Sequence, residues 1–475
     1  MRLLCLTFAL LAASISWASP KPNIIYILAD DLGYGDLGSY GQSHFQTPHL
    51  DQLAAQGLRF TQHYSGSTVC APSRCALLTG QHVGHAPVRG NFEVKPEGQL
   101  PMPADTYTIG HLLQDAGYTT GVFGKWGLGA PDTEGEPLKM GFDRFYGYNC
   151  QRQAHHYYPY FLWNDGQREI LWDNFGTETG TYAPDLIQEQ ILDFIETNQD
   201  RPFFCYYALI QPHAEMLAPE EYMEKHRGKY LPESSYQGTD SGPRFRKGPY
   251  ASQPEAHAAF AAMVNHMDDD IGELLAKLDE LGIAENTLVI FSSDNGPHQE
   301  AGHDPDYFGS NGSLRGYKRD LYEGGIRVPM IASWPGTIPA GAVSDHLSAF
   351  WDVLPTLADV TGRPVPESTD GISFLPELLG QDQQAKHSYL YWEFHERKGR
   401  VALRKGNWKA VRYDVSVDPH SPLELYDLAN DPGETRNVAD AHPELVKELD
   451  RLIQQARTPS HIEKFNFPKS GKPRK

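Results

Sequence analysis

The feature that most limits what this chain can become is a short run, Asn23-Ile24-Ile25-Tyr26-Ile27-Leu28, which stops at Ala29-Asp30-Asp31. Apolar and aromatic residues follow one another here without alternation, so the run reads as a strand covered on both faces. Helical spacing follows from Thr47 to Gly57. The same rhythm continues with helix at Tyr107 to Asp115, strand at Tyr118 to Phe123, helix at Asp185 to Asn198 and strand at Pro202 to Leu209. A long helix from Glu255 to Leu281 and strands at Thr287 to Ser292 and Arg327 to Ser333 complete it. This order predicts an α/β fold, a large mainly parallel sheet flanked by helices. After about residue 385 the rhythm changes to close-set strands at 389–394, 400–404, 408–413 and 423–428, then a helix near 443–456 and a basic tail. That pattern predicts a small C-terminal antiparallel α+β subdomain, dividing the chain into 20–384 and 385–475.

The first nineteen residues, MRLLCLTFALLAASISWAS, carry Arg2, an apolar stretch and a small-residue end, the pattern of a secretory signal peptide. The expectation is an exported protein, periplasmic or extracellular. No later apolar run is long enough to span a bilayer. A formal net charge of −20 argues against nucleic acid or an anionic membrane as partner, because like charges repel.

Ligands of open parallel sheets gather beyond the carboxyl ends of strands. Two predicted strands end in oxygen donors there: Asp30-Asp31 after the first, and Ser293-Asp294-Asn295-Gly296 after Leu288 to Phe291. Three carboxylates and an amide would form a hard, all-oxygen cage suited to Ca²⁺ or Mg²⁺. Capping and turn roles, common for Asp, Asn and Gly, are the competing reading. Cys70 and Cys75 raise a separate question. A disulfide across four residues at a helix start is geometrically awkward, and a Cys₄ zinc site would need a second close pair that the chain lacks.

The segment Cys70-Ala71-Pro72-Ser73-Arg74, continuing to Leu78-Thr79-Gly80, closely resembles the C-x-P-S-R-x-x-x-L-T-G signature of the type I sulfatases. Further stretches resemble the same family. They are Pro22 to Asp36, Gly117 to Trp126, Gln211-Pro212-His213, Ser293 to Gly296, and Leu314 to Lys318 before Tyr322-Glu323-Gly324-Gly325. The resemblance implies the alkaline phosphatase-like fold and hydrolysis of sulfate esters. It implies that Cys70 is oxidised to formylglycine by a formylglycine-generating enzyme, and that one calcium ion is held by Asp30, Asp31, Asp294, Asn295 and the group made from Cys70. It also implies that Arg74, Lys125 and Lys318 neutralise the sulfate and that His213, with Lys318, protonates the leaving oxygen. Cys75 then reads as a small buried helix residue.

One position departs from the family pattern. The second signature there reads G-K-W-H-L-G, and this chain has Gly124-Lys125-Trp126-Gly127-Leu128-Gly129. Either the protein is inactive, or another group replaces the histidine, or the histidine is dispensable. The segment Cys150 to Tyr158 offers His155 or His156 as the replacement, against a packing role for both. His85 and Arg89 are candidates for the pocket mouth, and Glu215 to Gln253 for a long loop shaping specificity. His257 and His266 read as core or surface residues, and Asp268-Asp269-Asp270 as a solvated face. The expected substrate is a sulfated carbohydrate, galactose-type, with aryl sulfates as surrogates. The alternatives are a phosphomonoesterase or phosphonate hydrolase of the same fold, or a non-catalytic protein that binds sulfated glycans.

Overall fold

The computed structural model describes residues 21–95 and 97–468; the leader reading of 1–19 lies outside them. Among the described residues, the main sheet is built from β1 (Asn23–Ala29), β2 (Leu58–Tyr64), β3 (Thr119–Lys125), β4 (Arg144–Tyr148), β5 (Phe161–Asn164), β6 (Gln167–Ile170), β7 (Phe203–Ala208), β8 (Thr287–Ser293), β9 (Arg327–Ser333), β10 (Ala342–Ser344) and β11 (Ser348–Ala349). Their order is β10-β2-β9-β8-β1-β7-β3-β4-β5-β6, with β11 beside β2. The block β8-β1-β7-β3-β4 is parallel throughout. β9 runs antiparallel to both β8 and β2, and β5 and β6 form an antiparallel edge hairpin beside β4.

The β9 direction has a topological cause. A parallel neighbour needs a crossover that returns the chain to the far end of the sheet. Between β8 and β9 the chain holds only the single turns Pro305–Phe308 and Glu323–Ile326, and it stays at the strand-end face, where it deposits Lys318. β2 escaped the sequence reading because Leu58-Arg59-Phe60-Thr61-Gln62-His63-Tyr64 mixes apolar with polar residues and its register shifts between Phe60 and His63.

Six helices bear on the site: α1 (Pro48–Gln56), α2 (Cys70–Thr79), α3 (Ile109–Asp115), α4 (Ala183–Asn198), α5 (Glu220–His226) and α6 (Ala256–Glu280). Successive residues of β1 serve opposite layers. Ile25 and Ile27 pack with Ile191 of α4 and with Phe260, Met263 and Ile271 of α6. Ile24, Tyr26 and Leu28 pack with Ala71, Cys75 and Leu78 of α2 and Leu112 of α3. Each such fully buried side chain contributes roughly 1.5–3 kcal/mol, so β1 is pinned from both sides and its last residues are held in place.

The acidic run on α6 is solvated only in part: Asp269 is half exposed, while Asp268 is not. Asp268 is fully buried, and its carboxylate accepts the His49 and Leu50 amides at 3.0 and 2.9 Å. It caps the start of α1, whose first amides have no partner within their own helix. His257 and His266 are buried as expected, the first stacked on Tyr307 and the second between Asp185 and Asp270.

The second sheet consists of β12 (Leu390–Phe394), β13 (Arg400–Lys405), β14 (Trp408–Tyr413) and β15 (Leu423–Asp427), antiparallel in chain order. Trp392, Phe394, Ala402 and Val411 pack on Tyr64, Val69, Ala76 and Trp351 of the large unit. Its other face takes Leu449 and Ile453 of the helix Pro443–Gln455.

Candidate active site

β1 and β8 are adjacent and parallel, with Ala29 opposite Ser293, so the residues that follow each strand emerge side by side. Asp31 sits at φ +67°, a left-handed conformation that costs a non-glycine residue energy and recurs at functional sites. Cross-strand bonds hold it there. Its amide donates to Asp294 Oδ1 at 3.1 Å, the Leu32 amide donates to Ser293 Oγ at 2.9 Å, and Asn295 Nδ2 donates to Asp31 Oδ1 at 2.6 Å.

The sequence-predicted cations meet these carboxylates. Lys125, ending β3, places Nζ 2.5 Å from Asp30 Oδ2 and 3.2 Å from Cys70 Sγ. Lys318 Nζ is 2.7 Å from Asp31 Oδ2 and 3.1 Å from His213 Nε2. Arg74 donates to Asp294 Oδ2 from Nε and Nη2 at 3.1 and 2.9 Å, and to the Lys125 carbonyl from Nη1 at 2.8 Å. With three of its donors committed and the side chain fully buried, Arg74 holds Asp294 and β3 in place rather than lining the cavity. Burial by itself raises the Asp30 and Asp31 carboxyls, but the surrounding lysines outweigh it and keep both below their usual range. Asp294 goes the other way, to about 7, because burial and the Asp30 carboxylate outweigh Arg74.

Cys70 is the first residue of α2, a helix buried along its whole length, so its Sγ projects from a rigid element. The thiol lies 3.4 Å from Asp30 Oδ1 as a donor. Burial and Asp30 raise it above the ordinary thiol range, so an unmodified Cys70 stays protonated and is a poor nucleophile. Cys70, Cys75, Cys150 and Cys205 are all free and buried.

These groups open into a cavity of about 510 Å³ lined by Cys70, Gln151, His155, His213, Lys318 and the segment Arg244 to Tyr250 among others. His213 hydrogen-bonds the Ala214 carbonyl through Nδ1, which leaves Nε2 to accept from Lys318. Burial and Lys318 drive its pKa well below the usual value, so the ring is neutral and the mobile proton sits on Lys318. His155 stacks on His213 with centroids 4.9 Å apart; burial and Lys125 push it down to about 3.

Neither histidine of the pair takes the space beside Gly127. His155 lies over His213, and His156 is turned away, accepting the Gly248 amide at Nε2 and facing Glu215 at Nδ1. The residue beside Gly127 is Gln151. His85 and Arg89 also depart from the expectation. His85 pairs with Asp370 at 2.9 Å within the main unit, and Arg89 bonds the Thr458 carbonyl and Glu393, tying the C-terminal part to it; both lie outside this cavity. The stretch Glu215 to Gln253 is less irregular than predicted, carrying α5 and a bridge between Tyr236 and Gln253, yet its Arg244 to Tyr250 part does form the cavity wall. Sequence reasoning missed Gln151, Tyr250 and Glu300 as lining residues; none carries a motif of its own.

The donor set fits a hard cation. Ligand atoms of Asp30, Asp31, Cys70 and His213 all lie within 4.8 Å of one another. Asn295 gives Nδ2 to Asp31 and to the Gly296 carbonyl, leaving Oδ1 buried with no donor among the described residues. An unpaired amide oxygen among carboxylates is a position that a cation would satisfy, and the oxygens of Asp30, Asp31, Asp294 and Asn295 fit a hard cation such as Ca²⁺ or Mg²⁺. His213 is the weakest member of the cluster, since both ring nitrogens already have partners.

Known proteins match this architecture over nearly its whole length. The family model described as Sulfatase matches residues 22–363, and that described as N-sulphoglucosamine sulphohydrolase, C-terminal, matches 315–459. Arylsulfatase A of Homo sapiens is 35% identical, over 93% of this chain and 89% of that one. N-acetylgalactosamine-6-sulfatase of Canis lupus familiaris is 31% identical, over 92% and 85%. A Bacteroides thetaiotaomicron structure from a study of glycosaminoglycan metabolism superposes with a TM-score of 0.75 at 27% identity, covering 93% of this chain and all of the other. With Cys70, the strand-end carboxylates and the two lysines in one buried cluster that reaches the cavity through Cys70 and Lys318, and relatives named for one chemistry, this chain belongs to the sulfatase family, enzymes that hydrolyse sulfuric esters.

Proposed function

We propose that this protein is an exported, periplasmic or extracellular sulfatase acting on carbohydrate sulfates, galactose-type sugars first, after a formylglycine-generating enzyme has converted Cys70. The observation that carries this reading is the position of Cys70: buried at the start of α2, between Asp30 Oδ1 at 3.4 Å and Lys125 Nζ at 3.2 Å, and lining a cavity shared with His213 and Lys318. Arg244 and Lys247, exposed on the wall of that cavity, favour an anionic ligand on a protein of net charge −20. Relatives named for N-acetylgalactosamine 6-sulfate and for glycosaminoglycan metabolism support a sugar.

Calcium held by Asp30, Asp31, Asp294 and Asn295, with the aldehyde hydrate derived from Cys70, would supply positive charge at the sulfate and a hydroxyl nucleophile. Lys125 orients the residue-70 side chain and neutralises a sulfate oxygen beside it. Arg74 positions Asp294 and the end of β3. Lys318 holds the proton that the leaving oxygen needs, with His213 Nε2 as its neighbour 3.1 Å away. Tyr250 and His155 pack around His213 and keep that ring in place.

The test is the mass of the Cys70 peptide from protein produced with a formylglycine-generating enzyme, together with sulfate release from a panel of sulfated galactoses and 4-nitrophenyl sulfate. Aldehyde formation with release of sulfate from a sugar is the expected result. Full conversion with no release from any probe would overturn the reading.

A further inference from the structure

The backbone around Gly127 explains its own lack of a side chain. Beyond the ends of β3 and β4 the parallel pairing continues: the Trp126 amide donates to the Tyr148 carbonyl at 2.9 Å and the Gly127 amide to the Asn149 carbonyl at 3.2 Å. That register brings Gln151 against Gly127. A Cβ at 127 would stand 2.1 Å from Gln151 Nε2, so a side chain there would displace that carboxamide, and the backbone conformation of Gly127, φ +74°, disfavours one by itself. The room a histidine would use at 127 is taken by the Gln151 carboxamide.

Gln151 is 6% exposed, and among the described residues neither its Nε2 nor its Oε1 has a hydrogen-bond partner. It lines the same cavity as Cys70, His213 and Lys318. A buried amide left unpaired at both ends disfavours the free protein, and such groups are uncommon unless something else satisfies them. A carboxamide offers a donor and an acceptor together, which matches a hydroxyl, itself both donor and acceptor; a sulfate oxygen only accepts. The amide does not titrate, so it cannot stand in for a histidine as a base.

We propose that Gln151 is a specificity-determining residue: its carboxamide hydrogen-bonds a free hydroxyl of the sugar beside the sulfated carbon. This rests on the sulfatase reading and narrows it to esters flanked by such a hydroxyl. A site built to pair a substrate hydroxyl discriminates strongly against analogues that lack it, because its own buried groups are then left unpaired.

The experiment compares wild type with Gln151→Leu, both converted at Cys70, on galactose 4-sulfate, galactose 3-sulfate and 4-nitrophenyl sulfate, whose ring carries no neighbouring hydroxyl. The expected result is a loss of roughly tenfold or more in kcat/KM on a galactose sulfate and less than twofold on the aryl sulfate, with Tm unchanged or higher because an unpaired amide has gone. Equal losses on all substrates, or no loss on any, overturns the assignment, as does wild-type turnover of the aryl ester alone. A second readout does not need turnover: galactose 3-sulfate and galactose 4-sulfate should raise the Tm of Cys70→Ala more than that of Cys70→Ala/Gln151→Leu. Equal shifts in the two backgrounds also sink the contact. Absence of turnover in every protein with the binding difference intact would instead point at the sulfatase reading.

Discussion

At the carboxyl ends of β1 and β8, Asp30, Asp31 and Asp294 face Lys125, Arg74 and Lys318; at the seam between the two sheets, Glu323 and Glu434 face Lys409, Arg404 and Arg327. Both clusters are buried, and in both one acid is held low while another is pushed up to about 7. The seam is closed by ion pairs: Glu434 Oε1, which makes no hydrogen bond among the described residues, faces the Lys409 ammonium at 3.1 Å. Glu323 Oε1 accepts from Lys409 at 2.9 Å and Oε2 from Tyr64 at 2.5 Å, with Tyr64 also bonded to Arg404 and packed on Trp392. The strand-end cluster has a buried amide oxygen on Asn295 without a donor among the described residues and opens through Cys70, His213 and Lys318 into the cavity. Displaced pKa values therefore do not separate a catalytic site from a structural ion network. An opening into a cavity does.

Cys70→Ala and Glu323→Gln should give opposite phenotypes. Cys70→Ala is expected to lower sulfate release by about 10³-fold or more, since nucleophile and charge stabilisation fail together, while Tm stays within about 3 °C. Glu323→Gln removes one partner of a buried network and should cost about 3–5 kcal/mol of stability, with kcat/KM of the folded enzyme within roughly twofold of wild type. Denaturant melts beside initial rates decide it. A Glu323→Gln protein of normal stability but without activity would make the seam catalytic and erase the distinction.

Calcium should sharpen the contrast at smaller amplitude. A ligand at 100 times its dissociation constant stabilises by about 2.7 kcal/mol, so wild-type Tm should fall on chelation and recover with calcium. Asp31→Asn should lose that response and Glu323→Gln should keep it. A calcium response that survives Asp31→Asn would move the ion away from the ends of β1 and β8.

How much of this was legible beforehand follows from the range of each signal. The central strands and α6 were readable because their apolar patterns are local, and β9 was found as a strand although its direction depends on a connection no local pattern reports. The cluster of Asp30, Asp31, Cys70, Lys125, Asp294 and Lys318 was readable as motifs, but the pairing of Lys318 with Asp31 spans 287 residues and only the fold supplies it. Asp268 was misread because a run of three aspartates looks solvated until another helix is placed over one of them. Gln151 gave no signal at all. An uncharged side chain gains meaning here only from a glycine that lies on the neighbouring backbone.

The smallest effect concerns the acid that the seam holds high. Burial and the nearby Glu323 carboxylate, against the pull of Lys409, push Glu434 up to about 7 from an ordinary value of 4.5. The folded state thus binds this proton more tightly than the unfolded chain, and stability falls as pH rises from about 4.5 to about 7. Glu434→Gln deletes the titration while keeping an oxygen that can accept the Glu323 amide, at 2.6 Å in the wild type. Its stability should vary less across that window than that of the wild type, by on the order of 1–3 kcal/mol, with kcat/KM unchanged at each pH. If Glu434→Gln altered the activity profile and left the stability profile untouched, the seam would be coupled to the site, and the closed network would have to be counted as part of the enzyme's working parts.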